Sequence, residues 1–362
     1  MKAIYITRPG EVEIREIPMP EYHSGQGTAL LKVLFGGICG SDLGSYRGSF
    51  AYFDYPRIPG HEFSAEILQI DENARGLAPG DIVTCNPYFN CQKCYSCLHG
   101  RVNACMDNQT MGCQRDGAFC EYIVMPVDRV YHGKGLPPRV LALIEPFCIS
   151  YHGVRRAGIR PDRQFWQQRD IARVLVVGGG TIGVLAANAA KSLGAEVYLC
   201  DIPSARAKLQ RSQDIFGFAG ILWNEGPESL ARAVRRITGT SGTSGGRAAN
   251  GFDICIEAVG LPSTFQDCID CAAFGGTVVQ IGVGKKSLDF HFTDIQKKEL
   301  NIYGSRNAQR RDFLELIDLV RAGGTNLEKV LTNVYPFADA PKAFADFSAN
   351  AGSMLKVGID FS

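Results

Sequence analysis

Three glycines between a strand-like run and a helix-like run constrain the fold of this chain most. The apolar run VLVVGG covers 174–179, and Gly178, Gly180 and Gly183 follow the spacing G-x-G-x-x-G at its end. A helix-like segment, 181–193, overlaps the third glycine. In this pattern the first glycine permits a tight turn, the second lets the backbone approach a pyrophosphate, and the third lets the helix pack on the strand. The sequence therefore predicts a phosphate-binding turn at a helix N-terminus.

Strand-like and helix-like runs alternate after this turn. Further strands are expected at 196–201, 253–260, 277–283 and 300–305, with helical stretches such as 228–237 between them. Such alternation predicts an α/β domain with a Rossmann-type, doubly wound parallel sheet. Two longer connections, 160–173 and 238–251, are predicted to be surface loops without a function of their own.

The first 150 residues have a different pattern. Short β-like runs separated by Gly, Pro and Asp lie at 29–35, 63–70, 81–87 and 118–126. They predict a mostly antiparallel, barrel-like β domain. A helix at 312–323 and a strand at 354–361 come last, and we expect this tail to rejoin the first domain. The predicted domains are therefore 1–150 completed by 305–362, and 151–304.

The second predicted strand ends on an acid at the distance expected for a ribose contact. Asp201 can accept hydrogen bonds from both ribose hydroxyls, and its charge would repel a 2′-phosphate. Ile202 follows it, so the sequence favours NAD over NADP, although Arg206 lies near enough to weaken that preference. A glycine-rich packing turn without a cofactor is the alternative. The residues expected to contact NAD are Gly178, Gly180, Thr181, Ile182, Gly183, Asp201, Arg206, Val259, Ile281 and Gly282.

Four of the thirteen cysteines lie in one short loop. The first residues, MKAIYITRPG, are not a secretory signal, so we expect a cytoplasmic protein with reduced thiols, in which clustered cysteines bind metal. Cys91, Cys94, Cys97 and Cys105 follow C-x2-C-x2-C-x7-C, which suits a closed structural Zn²⁺ site. An iron–sulfur cluster is the alternative, but no proline follows the fourth cysteine.

Charge and hydropathy exclude two classes of partner. The 38 basic and 37 acidic residues leave a net charge of +1, which offers no attraction to nucleic acid or to a membrane surface. The sequence has no run of 18 consecutive apolar residues, so no membrane-spanning helix is predicted. The expected partner is therefore a small-molecule substrate.

A second donor set is spread along the first domain. Cys39 in GICGSD, with His61 and Glu62 in GHE, supplies a thiolate, an imidazole and a carboxylate. A catalytic zinc needs about three protein ligands and one open position. Zinc at such a site lowers the pKa of a bound alcohol, and a nicotinamide takes the hydride. These residues predict an alcohol dehydrogenase that uses NAD and two zinc ions per chain.

These motifs and their order resemble the zinc-containing medium-chain dehydrogenase/reductase superfamily over nearly the full chain. The resemblance implies a GroES-like catalytic domain beside the Rossmann domain. In the polyol and threonine dehydrogenase branch, the pattern of Cys39, His61 and Glu62 is completed by a later Glu, which Glu145 matches. The resemblance implies that Glu145 ligates zinc or holds its water, exchanging with Glu62. Asp42 matches an acid that orients the His ligand, and Ser41 matches a proton-relay hydroxyl.

The chain departs from this family at one step of the proton relay. Where the family commonly has a histidine, this chain has Gly44, and His152 is a candidate substitute. Segments 142–159 and 304–308 resemble dehydrogenases of sugar acids and related polyols. An arginine there could pair with a carboxylate, and an asparagine could bind hydroxyls. The candidate substrate residues are Tyr46, Arg47, Arg115, Arg306 and Asn307.

Several alternatives remain open at this stage. Within enzymes they are a sorbitol-type polyol dehydrogenase and a threonine 3-dehydrogenase. A catalytically silent dinucleotide-binding scaffold and a zinc-ribbon interaction module are alternatives of other classes. The resemblance implies a homodimer or homotetramer, joined edge to edge through the strand at 277–283 and the strand after it.

Overall fold

A computed structural model describes residues 1–159, 172–239, 251–284, 286–289 and 291–362. The chain divides into two compact units. The β-rich unit is Met1–Cys148 with Asn307–Ser362, and the α/β unit is Ile149–Arg306. The predicted first domain ends at 150 and resumes at 305, whereas the β-rich unit ends at 148 and resumes at 307, so each boundary differs by two residues. The predicted loops at 160–173 and 238–251 lie outside the described residues except at their ends.

The first part of the chain forms short strands and short helices. The predicted strand at 118–126 is wrong for its first residues, because the Ala118 and Phe119 N–H groups donate to the Gly60 and Pro59 carbonyls. The elements are β1 (Lys2–Arg8), β2 (Glu11–Glu16), β3 (Thr28–Ile38), α1 (Gly40–Tyr46), β4 (Glu62–Ile70), β5 (Ile82–Cys85), β6 (Tyr88–Phe89), α2 (Tyr95–Leu98), β7 (Gln109–Thr110), β8 (Tyr122–Pro126), β9 (Val130–His132), α3 (Pro138–Ala142) and α4 (Ile144–Arg156).

The second part alternates strands and helices as predicted. Its elements are β10 (Arg173–Val177), α5 (Thr181–Ser192), β11 (Glu196–Asp201), α6 (Arg206–Phe216), β12 (Gly220–Trp223), α7 (Pro227–Thr238), β13 (Phe252–Glu257), α8 (Pro262–Cys271), β14 (Ala272–Gln280), α9 (Thr293–Lys298) and β15 (Asn301–Gly304). The chain then adds α10 (Arg310–Arg321), β16 (Leu331–Pro336), α11 (Ala340–Ala349) and β17 (Lys356–Asp360). None of the helices in the described ranges is long and apolar enough to cross a membrane.

The α/β unit confirms the doubly wound parallel sheet. Over its described residues the sheet has six strands, all parallel, in the order β12-β11-β10-β13-β14-β15. The two central strands, β10 and β13, carry fully buried β-branched side chains, among them Val174, Val176, Ile254 and Ile256. The strand order reverses between β10 and β13, and such a sheet binds ligands at the carboxyl ends of its strands at this point.

The β-rich unit, whose residues are all described, is built around β3. A seven-stranded sheet runs β16-β17-β3-β4-β5-β9, with β8 also paired to β3. The C-terminal strand β17 pairs antiparallel with β3, with Val357 opposite Ile38. On the other side of β3, Gly37 is opposite Glu62 of β4. The end of β3 therefore lies between the start of β17 and the start of β4, and this position assembles the site described below.

Candidate active site and metal centres

The end of β3 and the start of β4 bring together residues that are far apart in the chain. Cys39 follows β3 and precedes α1, and His61 precedes Glu62, the first residue of β4. Asp42 ties the two segments together, because its carboxylate accepts the Cys39 N–H at 2.8 Å and the Gly60 N–H at 3.2 Å. A single buried carboxylate thus holds the backbone on both sides of the site.

The donor atoms of Cys39, His61 and Glu62 all lie within 4.8 Å of one another. Zinc bonds of about 2.0–2.3 Å require separations of this size, so the set fits one ion. His61 Nδ1 is 4.0 Å from Asp42. Burial by itself lowers the pKa of His61, but Cys39 and Asp42 outweigh it and raise the pKa well above its usual value. The Ser41 Oγ atom is buried and has no hydrogen-bond partner among the residues described.

A lysine that the sequence analysis missed also belongs to this site. Lys356 Nζ donates to both carboxylate oxygens of Glu62 at 2.7 Å, and to the Ile38 carbonyl at 3.1 Å. Burial lowers the pKa of Lys356, but Glu62 outweighs burial and raises it above its usual value. The signal in the sequence was a lone basic residue inside the apolar run at 354–361.

Glu145 is held by a different partner. The Tyr88 hydroxyl donates to Glu145 Oε1, and both side chains are buried. Burial raises the pKa of Glu145 to about 7, although His61 opposes the shift. Among the described residues, the close donor group contains Cys39, His61 and Glu62 but not Glu145. No motif in the sequence pointed to Tyr88.

The predicted cysteine loop forms a second donor set. The sulfur atoms of Cys91, Cys94, Cys97 and Cys105 lie within 4.8 Å of one another, with Cys94 at 3.5 Å from Cys97 and 3.9 Å from Cys105. Four thiolates around one zinc, with bonds of about 2.3 Å, lie roughly 3.8 Å apart. Backbone N–H groups of Cys97 and Met106 lower the pKa of Cys94 to about 6. These sulfur–sulfur distances fit a single metal ion. An iron–sulfur cluster would need longer distances, because several atoms lie between its cysteine ligands.

The glycine fingerprint forms the predicted turn at the carboxyl end of β10. Gly178 has φ +110°, a conformation that side chains rarely allow. Gly180 is the N-cap of α5, and Thr181 and Ile182 are the first residues of that helix. A Cβ on Gly183 would overlap the Gly178 carbonyl oxygen. Gly178 and Gly183 therefore have the conformational and packing reasons that the pattern predicts, whereas the Cβ position of Gly180 faces open space, as the approach of a pyrophosphate requires.

Asp201 ends β11 beside this turn. Its carboxylate accepts the Gly179 N–H at 2.8 Å and the Ile202 N–H at 2.7 Å, so the acid is fixed against the fingerprint. The Arg206 guanidinium lies over the Trp223 ring, 4.6 Å from its centroid. Arg206 is thereby engaged in a cation–π contact.

Glu257 organises the remaining predicted cofactor residues, and the sequence analysis missed it. This fully buried carboxylate accepts the Val259 N–H at 2.9 Å and the Gly260 N–H at 2.8 Å. Its backbone carbonyl accepts the N–H groups of Ile281 at 2.9 Å and Gly282 at 3.1 Å. The carboxyl ends of β13 and β14 are thus joined at one residue. The available signal was an acid directly after the apolar run at 254–256.

Two predicted substrate residues of the β-rich unit already have protein partners. The Tyr46 ring lies 5.8 Å from the Phe344 ring. Arg47 donates to Ser348 Oγ at 2.9 Å and to the Ser348 carbonyl at 2.6 Å. In the α/β unit, Arg306 is an exposed residue just after β15.

Arg115 differs from these candidates. Its guanidinium carbon lies 3.7 Å from the centroid of the Phe89 ring, which also contacts Arg129. Within the part of the chain that the structure describes, Arg115 has no ion pair and no side-chain hydrogen bond. Asn307, with φ +52°, donates to the Asn103 carbonyl at 3.3 Å beside the cysteine loop. Arg115 is therefore stacked on Phe89, but its guanidinium N–H groups have no hydrogen-bond partner among the described residues.

Gly44 lies against Phe50 in the structure. A Cβ on Gly44 would lie 3.2 Å from Phe50 Cβ, a tight contact that a small shift of Phe50 would relieve. His152, the proposed substitute, is buried in α4, in the part of that helix that belongs to the α/β unit.

Two family profiles and a full-length relative match this chain. Residues 25–137 match the alcohol dehydrogenase GroES-like domain, and residues 181–322 match the zinc-binding dehydrogenase family. The chain is 35% identical to the L-galactonate-5-dehydrogenase of Escherichia coli (strain K12), over 100% of this chain and 99% of that protein. The chain belongs to the zinc-binding alcohol dehydrogenase family.

Solved structures of this dehydrogenase family have the same fold. The crystal structure of a short chain alcohol dehydrogenase from Escherichia coli CFT073, complexed with NADH, has a TM-score of 0.83 at 27% identity, and the match covers 100% of this chain and 99% of that chain. A zinc-binding dehydrogenase from Sinorhizobium meliloti 1021, bound to NADP, has a TM-score of 0.82 at 29% identity, with 99% of each chain covered. The family and its GroES-like plus Rossmann-like fold confirm the resemblance found in the sequence.

Proposed function

We propose that this dehydrogenase oxidises a secondary alcohol of a sugar acid to a ketone, using zinc at Cys39, His61 and Glu62 and NAD at the glycine turn. The preferred substrate class is a hexonate such as L-galactonate or L-gulonate. The observation that carries the proposal is the donor group formed by the partly exposed Cys39 thiolate with the buried His61 imidazole and Glu62 carboxylate. When bound, zinc acts as a Lewis acid on the hydroxyl, and NAD accepts the hydride.

The chain's own residues orient this chemistry. Asp42 holds the backbone before His61 and fixes the loop that carries the imidazole. The Ser41 hydroxyl is buried, and no partner occupies it among the described residues, so it is available to hydrogen-bond the substrate hydroxyl. Tyr88 holds one oxygen of Glu145, and the other oxygen could ligate the metal or accept a hydrogen bond from water. Cys91, Cys94, Cys97 and Cys105 hold a structural zinc in the same proposal.

The preference for NAD rests on Asp201. Its charge lies at the end of β11, where a ribose is bound in such sheets, and it would repel a 2′-phosphate. Arg206, the residue that weakened this preference, is committed to the Trp223 ring. Parallel assays with NAD and NADP test the choice, and a higher kcat/KM with NADP would contradict it.

The preference for a carboxylate-bearing substrate rests on Arg115. The loop that carries it packs on the segment before His61, because the Ala118 N–H donates to the Gly60 carbonyl at 2.9 Å. Burial and then the nearby Arg129 lower the pKa of Arg115, while Asp116 opposes them. A guanidinium whose N–H groups have no hydrogen-bond partner among the described residues is suited to bind a carboxylate through two hydrogen bonds.

An NAD-coupled screen with L-galactonate, sorbitol and L-threonine tests the proposal. Arg115→Gln should raise KM for L-galactonate by roughly 10- to 150-fold, since a hydrogen bond to a charged group is worth about 1.5–3 kcal/mol. The same variant should leave KM for sorbitol unchanged. Arg47→Gln is the matched control, because Arg47 is bound to Ser348. Turnover of sorbitol without turnover of hexonates would instead support a sorbitol-type enzyme.

Metal analysis separates the enzyme from a silent scaffold. Two zinc ions per chain and loss of activity in Cys39→Ser are expected, with dinucleotide binding retained. A single zinc, bound by the cysteine loop, would support a scaffold that only binds dinucleotide.

We also propose that the chain forms a homodimer or homotetramer. Strand β15 ends the order of the parallel sheet as described, and an unpaired edge can pair with a second copy. Sedimentation equilibrium gives the mass, and a monomer at micromolar concentration would contradict this assembly.

A further inference from the structure

A buried ammonium group contacts the carboxylate of the proposed catalytic metal site. We propose that Lys356 is a positioning residue that keeps Glu62 an exchangeable metal ligand. This inference rests on the proposed function, because it requires a metal at Cys39, His61 and Glu62. It concerns a residue near the end of the chain, 294 positions from its partner.

The ammonium group of Lys356 is completely committed. It has three N–H bonds, and they reach Glu62 Oε1 and Oε2 at 2.7 Å each and the Ile38 carbonyl at 3.1 Å. The Lys356 side chain is 2% exposed and that of Glu62 is 0% exposed. No water competes for a pair that is buried to this degree, so the contact is tight and directional.

The strand register creates the pair. Val357 is opposite Ile38 on one side of β3, and Glu62 is opposite Gly37 on the other side. A Cβ on Gly37 would lie 3.3 Å from Glu62 Cβ and would overlap its carboxylate. The absence of a side chain at Gly37 therefore gives the Glu62 carboxylate the room in which it meets Lys356.

The two carboxylates of the site consequently differ in donor strength. Each oxygen of Glu62 accepts a hydrogen bond from the Lys356 ammonium group, which withdraws charge from the oxygen and weakens it as a metal ligand, although a second lone pair remains. The side-chain donor to Glu145, among the described residues, is the neutral hydroxyl of Tyr88. Glu62 can therefore leave the metal without becoming an uncompensated buried charge, because Lys356 still balances it.

Removal of Lys356 should convert Glu62 into a permanent ligand. A buried carboxylate without its ammonium partner lowers its free energy by binding the metal. Glu62 would then stay bound when Glu145 joins Cys39 and His61 on the metal, and four protein ligands would leave no position for an exogenous ligand. In the Co²⁺-substituted enzyme, Lys356→Met should raise the Kd for imidazole, followed by the visible spectrum, at least tenfold. Lys356→Arg should restore the wild-type Kd. The expected kinetic signature is a fall in kcat together with this loss of ligand exchange.

Two further variants make the result decisive. The double variant Lys356→Met/Glu62→Gln has no carboxylate at position 62, so its Kd for imidazole should return toward the wild-type value. This variant also has no unpaired buried charge, so it can be measured even if Lys356→Met alone does not fold. Lys298→Met is the control, because that partly buried lysine donates to three backbone carbonyls of the α/β unit. A wild-type Kd in Lys356→Met, or no recovery in the double variant, would overturn the inference.

The outcome is separable from failure of the proposed function. If Cys39→Ser leaves the Co²⁺ spectrum of the wild-type enzyme unchanged, no metal occupies the proposed catalytic site, and the function itself is wrong. If Cys39→Ser alters the spectrum but Lys356→Met does not affect imidazole binding, only the role of Lys356 is wrong.

Discussion

Two glycines of the phosphate-binding turn should respond very differently to the same added methyl group. A Cβ on Gly183 would overlap the Gly178 carbonyl oxygen and lie 2.9 Å from its carbonyl carbon, whereas a Cβ on Gly180 would have no atom within 4 Å. Gly180 also has φ −74°, which any residue adopts. The contact at Gly183 is with backbone, so neither side can rotate away. Gly183→Ala must therefore shift α5 from β10.

The expected magnitudes follow from this geometry. Non-bonded heavy atoms pack at about 3.5 Å, and the overlap with the Gly178 carbonyl oxygen is deeper than that with its carbonyl carbon, so the helix must move by roughly 1.5–2 Å. Overpacking of this kind costs about 1–3 kcal/mol of unfolding free energy. Gly180→Ala should cost only about 0.5 kcal/mol, because alanine is a poorer N-cap than glycine. Gly180→Ala should nevertheless weaken NADH binding about tenfold or more, since its methyl group points where the backbone approaches the pyrophosphate.

Urea unfolding followed by far-UV circular dichroism measures the stability of both variants, and NADH fluorescence titration measures the affinity. Gly183→Ala should lose stability and affinity together, while Gly180→Ala should lose mainly affinity. Equal urea midpoints for the wild type and Gly183→Ala would refute the steric reasoning. Equal losses of stability in both variants would show that the two glycines do not have separate roles.

Two further predictions concern pH and metal removal. Hydrogen bonds from the Gly25 and Thr28 N–H groups and the Tyr22 hydroxyl hold the pKa of Asp71 well below its usual value. The charged Asp71 carboxylate therefore stabilises the folded state fully at pH values above about 3.9, the pKa of an aspartate in the unfolded state. This stabilisation is lost as the pH falls through the lower pKa that Asp71 has in the folded state. The melting temperature of Asp71→Asn should therefore lie below that of the wild type at pH 7, and the gap should narrow below about pH 4; a gap independent of pH would contradict this. After chelation of the metal, a thiol reagent should modify the partly exposed Cys39, Cys91, Cys94 and Cys97 in the folded chain. Cys200, Cys255, Cys268 and Cys271 should react only in urea, because burial raises the pKa of each, and their reaction in the folded chain would contradict the described core.

The sequence predicted those features whose residues are close together in the chain. The glycine turn, the helix after it and the four-cysteine loop each lie within about 20 residues, so spacing alone encodes their geometry. The run of buried β-branched residues at 174–177 likewise predicted a central parallel strand, and β10 is one. The predicted strand at 118–126 was wrong at its start, because carbonyls of Pro59 and Gly60, distant in sequence, take its N–H groups.

Only the tertiary structure decided how the two carboxylates of the site are held. Lys356 reaches Glu62 across 294 positions and Tyr88 reaches Glu145 across 57, through strand orders and registers that have no periodic signature. The structure also separated Arg115, which has no ionic partner among the described residues, from Arg47, which is bound to Ser348. The sequence by itself thus determined the family, the donor types of the proposed metal sites and the glycine-rich turn. Tertiary pairing set the charge environment of each proposed ligand, because that environment depends on which distant side chains share a buried space.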